Sequence, residues 1–475
     1  MSKSIQRKNA LIKKVNELLN IMSSSGVANT DYLTQLIYLL FLKMEHEKVI
    51  NTGKASNIKP GFGWADLLNE SGTDLIRHYE RTLQELSKEK GLVGAIFMKA
   101  VNKIDSPVNL EKLISFIDKE NWFVMEDDFK GALYESILQK NGQRQQGGAG
   151  QYFTPRPLVD TIVKVVNPQI GETITDPACG TGGFLLSAYN FMKGQSKVKE
   201  KLDFLNKHTF TGNDITPLVV TMGSMNMYLH NIGGTSVPIQ CKDSLLEQPE
   251  RLVKIVLANP PFGARPAGTI DINRNDFIKK TKNNQLNFVQ HIMSQLMRGG
   301  RAGVVLPDNV LFDSEGKEIR HKLLTEFNLH TILRLPSGLF YAQGVQANVL
   351  FFTKGEPTEN VWYYDYRTNV KHTLKQNPLR HEDLNDFVKC FNTSDLSKRQ
   401  ETYDKQANSN GRWRKFPIEE LLKRDLLNLD ITWISETQSE EDTLSIDELL
   451  VQMEERVQTI QIAFDKLKEE LSDEL

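Results

Sequence analysis

The chain is poor in cysteine, with three in 475 residues (Cys179, Cys241 and Cys390) and no CxxC pair. That excludes a disulfide-stapled scaffold and a zinc ribbon. Nine histidines are present, none paired three or four positions apart, so no helical metal site is indicated. Long hydrophobic runs are missing too. The longest, Leu36 to Leu42, is far below the roughly 20 residues that span a bilayer. The N-terminus, MSKSIQRKNA, lacks an apolar signal core. No GxxxxGK[ST] occurs, so the chain is not expected to drive ATP-dependent movement. Helix-turn-helix and zinc-finger signatures are also absent. These absences describe a soluble, cytoplasmic protein without a membrane partner.

Hydrophobic residues make up 39% and charged residues 25%, enough apolar material to bury a sizeable core. The length predicts two or three domains. Net charge is −2, but residues 436–475 carry thirteen acids against three bases, leaving about +8 on the rest. The tail should avoid a phosphate backbone, whereas the body tolerates one.

Residues 5 to about 140 have a helical, amphipathic pattern. Leu11, Val15, Leu18 and Leu19 share a face, as do Leu33, Leu36, Ile37 and Leu40, and Leu92, Ile96, Ala100 and Ile104. Trp64, Trp122 and Phe123 are candidate packing anchors. The polar, glycine-rich stretch 141–150, NGQRQQGGAG, reads as a linker or mobile loop. It leads into QYFTPRP, where Thr154 and Pro155 suit an N-cap and first turn for a helix through Leu158, Ile162 and Val165.

From about 170 to 355 short apolar strands alternate with helices. Candidate strands are 172–175, 209–212, 239–241, 254–258, 302–306, 331–334 and 347–353. The fold class is therefore α/β, with a doubly wound, mostly parallel sheet whose ligand lies beyond the carboxyl strand ends. The C-terminal region closes on a predicted helix. Ser445 and Glu448 form a capping box, and Leu444 and Leu449 a hydrophobic staple. Ile446, Leu450, Met453, Val457, Ile460, Phe464, Leu467 and Leu471 make a heptad seam. Such a seam packs on another helix, of a partner or of this chain. The expected organisation is a helical domain over 1–140, a Rossmann-like domain over 141–430 and a helical tail over 431–475.

Four motifs carry chemistry. Asp176-Pro-Ala-Cys-Gly-Thr-Gly-Gly-Phe184 follows a strand and opens a helix. Gly180 and Gly182 allow a tight turn, and Gly183 is expected to let the helix approach the strand. A dinucleotide would be the default ligand, but a carboxylate at Asp176 repels pyrophosphate and suits an ammonium group. That favours an amino-acid-bearing cation such as S-adenosylmethionine. Asp214, ending the next strand, is placed for ribose hydroxyls, or alternatively caps the helix starting near Pro217. Asp243-Ser244 could reach an adenine amine or simply form a turn. Asn259-Pro260-Pro261-Phe262 is the sharpest signal. The prolines stiffen the backbone and remove two donors, the Asn259 amide oxygen and freed carbonyls present acceptors, and Phe262 offers a stacking face. This suits a planar NH₂ group, whose nitrogen becomes tetrahedral when both hydrogens are accepted. Residues 263–284, with Arg265, Arg274, Lys279, Lys280 and Lys282, read as a mobile basic loop near nucleic acid or as a solvated surface loop.

DPACGTGGF, NPPF and the upstream GQYFTPRP, with QLNFVQHIM (285–293) and LPSGLFYAQGVQANVLFFTKG (335–355), resemble motifs of adenine-N6 DNA methyltransferases. The chain resembles above all the modification (M) subunits of type I restriction–modification systems. The resemblance implies an enzyme that methylates N6 of a flipped-out adenine in double-stranded DNA. Its partners would be a specificity (S) subunit, a second M subunit and an ATP-dependent restriction (R) subunit. It also implies residue roles. Gln151, Tyr152, Phe153 and Thr154 would hold the methionine end of S-adenosylmethionine. Asp176, Ala178, Gly180, Thr181, Gly182 and Gly183 would line the rest, with Asp214 on the ribose and Asp243 and Ser244 near the adenine. Asn259, Pro260 and Pro261 would present the target amine, Phe262 would stack on the base, and Phe340 or Tyr341 would supply a second face. The alternatives are a stand-alone adenine methyltransferase, a glutamine-amide methyltransferase and a non-catalytic DNA-clamping subunit. The missing target-recognition domain argues against the first; the large N-terminal region and heptad tail argue against the second. Intact Asp176, Asn259 and Phe262 argue against the third.

Overall fold

In the computed structural model, residues 29–123, 134, 154–233, 237–265, 268–340, 346–374 and 376–436 are described. Those up to Thr432 belong to one compact unit and 433–436 to a second, Trp433–Leu475. The heptad seam with its capping box and staple, the first apolar face (Leu11 to Leu19) and the stretch 141–150 lie outside the described residues. No helix among the described residues is long and apolar enough to cross a membrane.

The alternating apolar segments assemble into a nine-stranded sheet. The strands are β1 (Ile174–Asp176), β2 (Phe210–Asp214), β3 (Ile239–Cys241), β4 (Val253–Ala258), β5 (Leu296–Pro307), β6 (Phe327–Arg334), β7 (Ala347–Lys354), β8 (Asn360–Asp365) and β9 (Trp413–Pro417). Their order is β3-β2-β1-β4-β5-β7-β6-β8-β9. The first five strands in that order are mutually parallel, with Ile174 opposite Phe210 on one side and Ile255 on the other. β7 runs antiparallel between β5 and β6, and β9 is antiparallel to β8. β4 is buried along Ile255–Ala258 and β7 along Ala347–Phe352, as expected of strands covered on both faces. β8 and β9 extend the sheet past the expected seven strands. β9 is an edge strand with Arg414 and Lys415, so its apolar pattern is interrupted. What holds it is Trp413, fully buried and stacked on Trp362 at 5.1 Å.

The chain winds outward from β1 through β2 to β3, then returns to the other side of β1 with β4. The order reverses between β1 and β4, so the loops after Asp176 and Ala258 face one crevice. The antiparallel β7 brings the β6–β7 connection to the same edge, because Pro307 and Arg334 lie opposite Ala347 and Asn348.

The N-terminal helices pack differently from their expected faces. In the helix Asn29–Thr52, residues 35–45 are all buried, so it is a central helix rather than a one-faced surface helix. The face read through Leu92, Ile96, Ala100 and Ile104 is not one helix. Helix Gly91–Ile96 ends there, and Lys99 takes a left-handed φ of 53°. Trp64 and Trp122 are buried anchors, and the Trp64 indole N–H donates to Asp118 at 2.8 Å. Phe123 is instead exposed; its backbone N–H donates to Glu47 at 2.7 Å. The helix Pro217–Leu229 serves two cores. Val220 and Met227 join the sheet core, while Met222, Met225 and Leu229 join the helical one. The Tyr228 hydroxyl donates to buried Glu45 at 2.7 Å, and that of Tyr134 to the Met222 carbonyl at 3.0 Å.

Candidate active site

Asp176 is the last residue of β1 and is 2% exposed. Among the described residues its carboxylate accepts one hydrogen bond, from the Ala178 N–H at 3.0 Å. Burial, helped by the nearby Asp214 charge, pushes its pKa up to about 8. A buried carboxylate of this kind is stabilised in its charged form by a cation, and none pairs with it among the described residues. Asp214, ending β2, accepts from the Gly180 N–H at 3.2 Å and the Thr216 N–H at 2.8 Å. It therefore both shapes the glycine turn and steadies the start of helix Pro217–Leu229. Burial raises its pKa as well.

The turn itself is built as its glycines require. Gly180 and Gly182 have φ of 55° and 83°, and a Cβ on Gly182 would stand 2.7 Å from the Met227 methyl. Gly183 is not the close-packing residue that the sequence suggests: a Cβ there would meet nothing within 4 Å. It faces open space at the mouth of the turn. The Thr181 carbonyl accepts from Asn226 at 3.1 Å. Gly182→Ala is expected to cost about 1–3 kcal/mol, because the side chain is strained at that φ and must displace Met227. A denaturant titration showing unchanged stability would count against this.

Ser244 is buried, donates to the Pro177 carbonyl at 2.7 Å and accepts from Asn213 at 3.1 Å, so it braces the turn after β1. Asp243 pairs with Arg265 at 2.6 Å while also accepting from the Leu245 N–H.

Asn259 follows β4. Its Nδ2 donates to the Thr154 hydroxyl at 2.9 Å, and its Oδ1 is buried without a hydrogen-bond partner among the described residues. Thr154 is thus not an N-cap: Pro155 holds that position for helix Arg156–Val166, without a side-chain cap. The hydroxyl is drawn to Asn259 instead, tying the segment before the helix to the β4 loop. Pro260 is buried and Pro261 exposed. The Phe262 ring lies edge-on to Phe340, centroids 6.2 Å apart at 72°. Phe340 is on the β6–β7 connection and is 9% exposed. Of the two candidates for a second stacking face, Phe340 meets Phe262, and Tyr341 lies outside the described residues, as do Gln151, Tyr152 and Phe153.

The described part of 263–284, residues 263–265 and 268–284, is anchored by hydrogen bonds at several points. Ala264 bridges Asn283, and helix Asn284–Gln295 bonds to Gly263, Arg274, Lys279 and Thr281. Gln285 accepts from the Gly263 N–H, Asn287 donates to the Thr281 carbonyl, and Gln290 makes two bonds to the Lys279 backbone. Arg274, 3% exposed, forks onto Asp276 and also reaches His291 and Ser294. Burial and Arg274 hold His291 down to a pKa of about 3, so its Nδ1 accepts from the guanidinium. Arg265 and Arg274 are therefore bonded internally, while Lys280 and Lys282 remain at the surface. The buried polar run in QLNFVQHIM is the sequence signal for this anchorage.

A buried carboxylate and a glycine turn lie at the β1 end, and an amide acceptor without a partner among the described residues lies beside two prolines and a phenylalanine at the β4 end. The N-6 DNA methylase family model matches residues 125–442. The chain belongs to the N-6 DNA methylases. Within them it is a type I restriction enzyme methylase subunit, and so an adenine-specific DNA methyltransferase. It is 39% identical over 478 residues to the type I restriction enzyme StySJI methylase subunit of Salmonella typhimurium, covering 91% of this chain and 89% of that one. It is 38% identical, with the same coverage, to the EcoKI methylase subunit of Escherichia coli. A solved structure described as the basis of complex assembly and conformational transition of the type I R-M system superposes with a TM-score of 0.75. That chain is 27% identical, with 98% of this chain and 99% of that one covered.

Proposed function

We propose that this methylase subunit transfers a methyl group from S-adenosylmethionine to N6 of an adenine flipped out of double-stranded DNA. In this reading it works beside a specificity subunit that selects the site and a second copy of itself, and a restriction subunit can join. The observation that carries the reading is the buried Asn259 Oδ1, without a hydrogen-bond partner among the described residues, at the switch point that also holds the buried Asp176.

The donor set fits the cofactor. Asp176 has no cationic partner among the described residues and would take the ammonium group, and open space at Gly183 leaves room beside the turn. Asp214 would accept from ribose hydroxyls, while Ala178, Gly180, Thr181 and Gly182 line the turn. Asp243, with Ser244 beneath it, would face the adenine amine, and Gln151 to Thr154 the methionine end. The cofactor supplies an electrophilic methyl group. Everything else falls to the chain's residues. Asn259 Oδ1 accepts one hydrogen of the target amine and the Pro260 carbonyl the other, with Pro261 stiffening the turn. The nitrogen lone pair is thereby directed at the electrophile. Phe262 and Phe340 provide aromatic faces for a base whose N6 is otherwise paired. The amine loses its proton after transfer, so no general base is required. The helical region 1–140, the catalytic region 141–430 and a docking tail 431–475 are the proposed divisions of labour.

Tritiated S-adenosylmethionine and duplex DNA test the reading. The chain co-expressed with its specificity subunit is expected to incorporate label recovered as N6-methyladenine, and the chain alone is not. Equal incorporation by the chain alone would overturn the dependence on a specificity subunit.

A further inference from the structure

The β6–β7 connection carries Phe340 and is braced at its neck by one arginine. Eleven residues separate Leu335 from Ala347, and of these 336–340 and 346 are described. The Leu335 N–H donates to the Ala347 carbonyl at 3.0 Å. Arg367, just beyond β8, spans the same neck. Its Nε donates to the Leu335 carbonyl at 2.9 Å and its Nη2 to the Ala347 carbonyl at 3.0 Å. Its two terminal nitrogens also fork onto Asp308, beyond the end of β5, at 2.7 and 2.6 Å. Asp308 in turn accepts from the Asn348 amide at 2.7 Å, and its own N–H donates to the Gln346 carbonyl at 3.1 Å. Arg367 is itself held by Asp365, which accepts its backbone N–H at 2.8 Å. The segment after β8 touches this connection once more. Gly338, at φ 81°, lies so close to His372 that a Cβ would stand 2.1 Å from the His372 carbonyl oxygen.

A backbone pair alone would close this neck. Withdrawing a guanidinium and a carboxylate from water to reinforce it is costly unless the geometry beyond the neck matters. What lies beyond it is the ring that meets Phe262. Lysine could not reproduce the arrangement, because only the planar fork serves a carboxylate and two carbonyls together.

We propose that Arg367, locked on Asp308, is a positioning residue that holds the Phe340 face in register with Phe262 for the target base. The proposal rests on the reading of Phe340 as a base-stacking residue. Arg367 acts through the loop and touches neither base nor cofactor.

The test uses the chain in complex with its specificity subunit, on duplexes centred on a site mapped by N6-methyladenine sequencing. Arg367→Ala, Arg367→Lys and Phe340→Ala are compared by single-turnover methyl transfer and by calorimetric S-adenosylmethionine binding. Time-resolved fluorescence of 2-aminopurine at the target position reports the base environment. Arg367→Ala and Arg367→Lys are both expected to slow transfer roughly 10–100-fold, the scale of a misplacement near 1 Å. Cofactor affinity is expected to stay within about twofold, as for loss of a group remote from that pocket. Both should shift the 2-aminopurine decay in the direction that Phe340→Ala shifts it. Restoration of the wild-type rate by Arg367→Lys would overturn the proposal, since charge balance would then suffice. An unchanged decay in the Arg367 variants alongside a shifted one in Phe340→Ala would overturn it too. Lost cofactor binding in both Arg367 variants would make Arg367 a general fold residue, again overturning it. Wild-type transfer and decay in Phe340→Ala would instead remove the stacking role, and the proposal with it.

Discussion

Asn259→Ala is expected to lower single-turnover methyl transfer by about 10²–10³-fold while leaving S-adenosylmethionine binding within a few-fold of wild type, the range for losing one preorganised acceptor. The Asn259 Oδ1 is buried without a hydrogen-bond partner among the described residues. Leaving a buried acceptor unsatisfied costs about 1–3 kcal/mol, which in the proposed reading an amine hydrogen of the target base would recover. Thr154 fixes the amide by accepting from Nδ2 at 2.9 Å, so the acceptor is aimed before substrate arrives. Alanine removes both the acceptor and the tether. The proposed contacts at Asp176 and Asp214 follow β1 and β2 and do not touch Asn259, so most of the cofactor affinity should persist. Rapid-quench transfer assays and calorimetry separate the two. Wild-type transfer would remove Asn259 from the reaction, and lost cofactor affinity would place it in the other pocket.

Asp176→Ala should act oppositely, weakening cofactor affinity by roughly 10–150-fold, the worth of a charge-assisted contact of about 1.5–3 kcal/mol. The raised pKa of Asp176, about 8, adds a proton signature. Below that value the free protein holds the carboxyl protonated, and an incoming ammonium group expels the proton. Near pH 7 binding should therefore release close to one proton, seen as a calorimetric enthalpy that varies with buffer ionisation heat. The same shift acts on stability. A carboxyl near 8 when folded and about 3.9 when unfolded stabilises the free fold fully below about pH 4. That contribution falls as pH rises from about 4 to about 8 and is gone above. Cofactor should flatten the decline, and Asp176→Asn should abolish it. Buffer-independent binding enthalpies at pH 7 would show that Asp176 does not receive the ammonium group.

Much of the site is legible in the sequence, because its chemistry is written in contiguous motifs. Asp176 and the glycines lie within nine residues, and Asn259 to Phe262 within four. Strand cores are equally readable, since buried parallel strands are runs of apolar residues. The differences between expectation and structure share a cause. The glycine motif points to Gly183 for the close packing that Gly182 makes. Thr154-Pro155 reads as an N-cap, although the Thr154 hydroxyl bonds Asn259, 105 residues away. Arg265 and Arg274 read as free surface charge, yet both are bonded internally. Gly182, Thr154 and Arg265 each meet a partner more than 20 residues away, and Arg274 adds the Glu247 carbonyl and His291 to its neighbour Asp276; local pattern carries no information on such distant partners.

Periodicity and turn chemistry are local, so the linear chain is enough to establish the order of the motifs and the α/β class and to single out Asp176 and Asn259 as residues of the proposed site. Three further facts needed the folded chain. The β1 and β4 loops share one crevice, Phe340 is the described ring beside Phe262, and Arg367 and Asp308 clamp the loop carrying it. They depend on strand order and on contacts between distant segments. They follow from the reversal of winding at β1 and from the antiparallel insertion of β7 between β5 and β6.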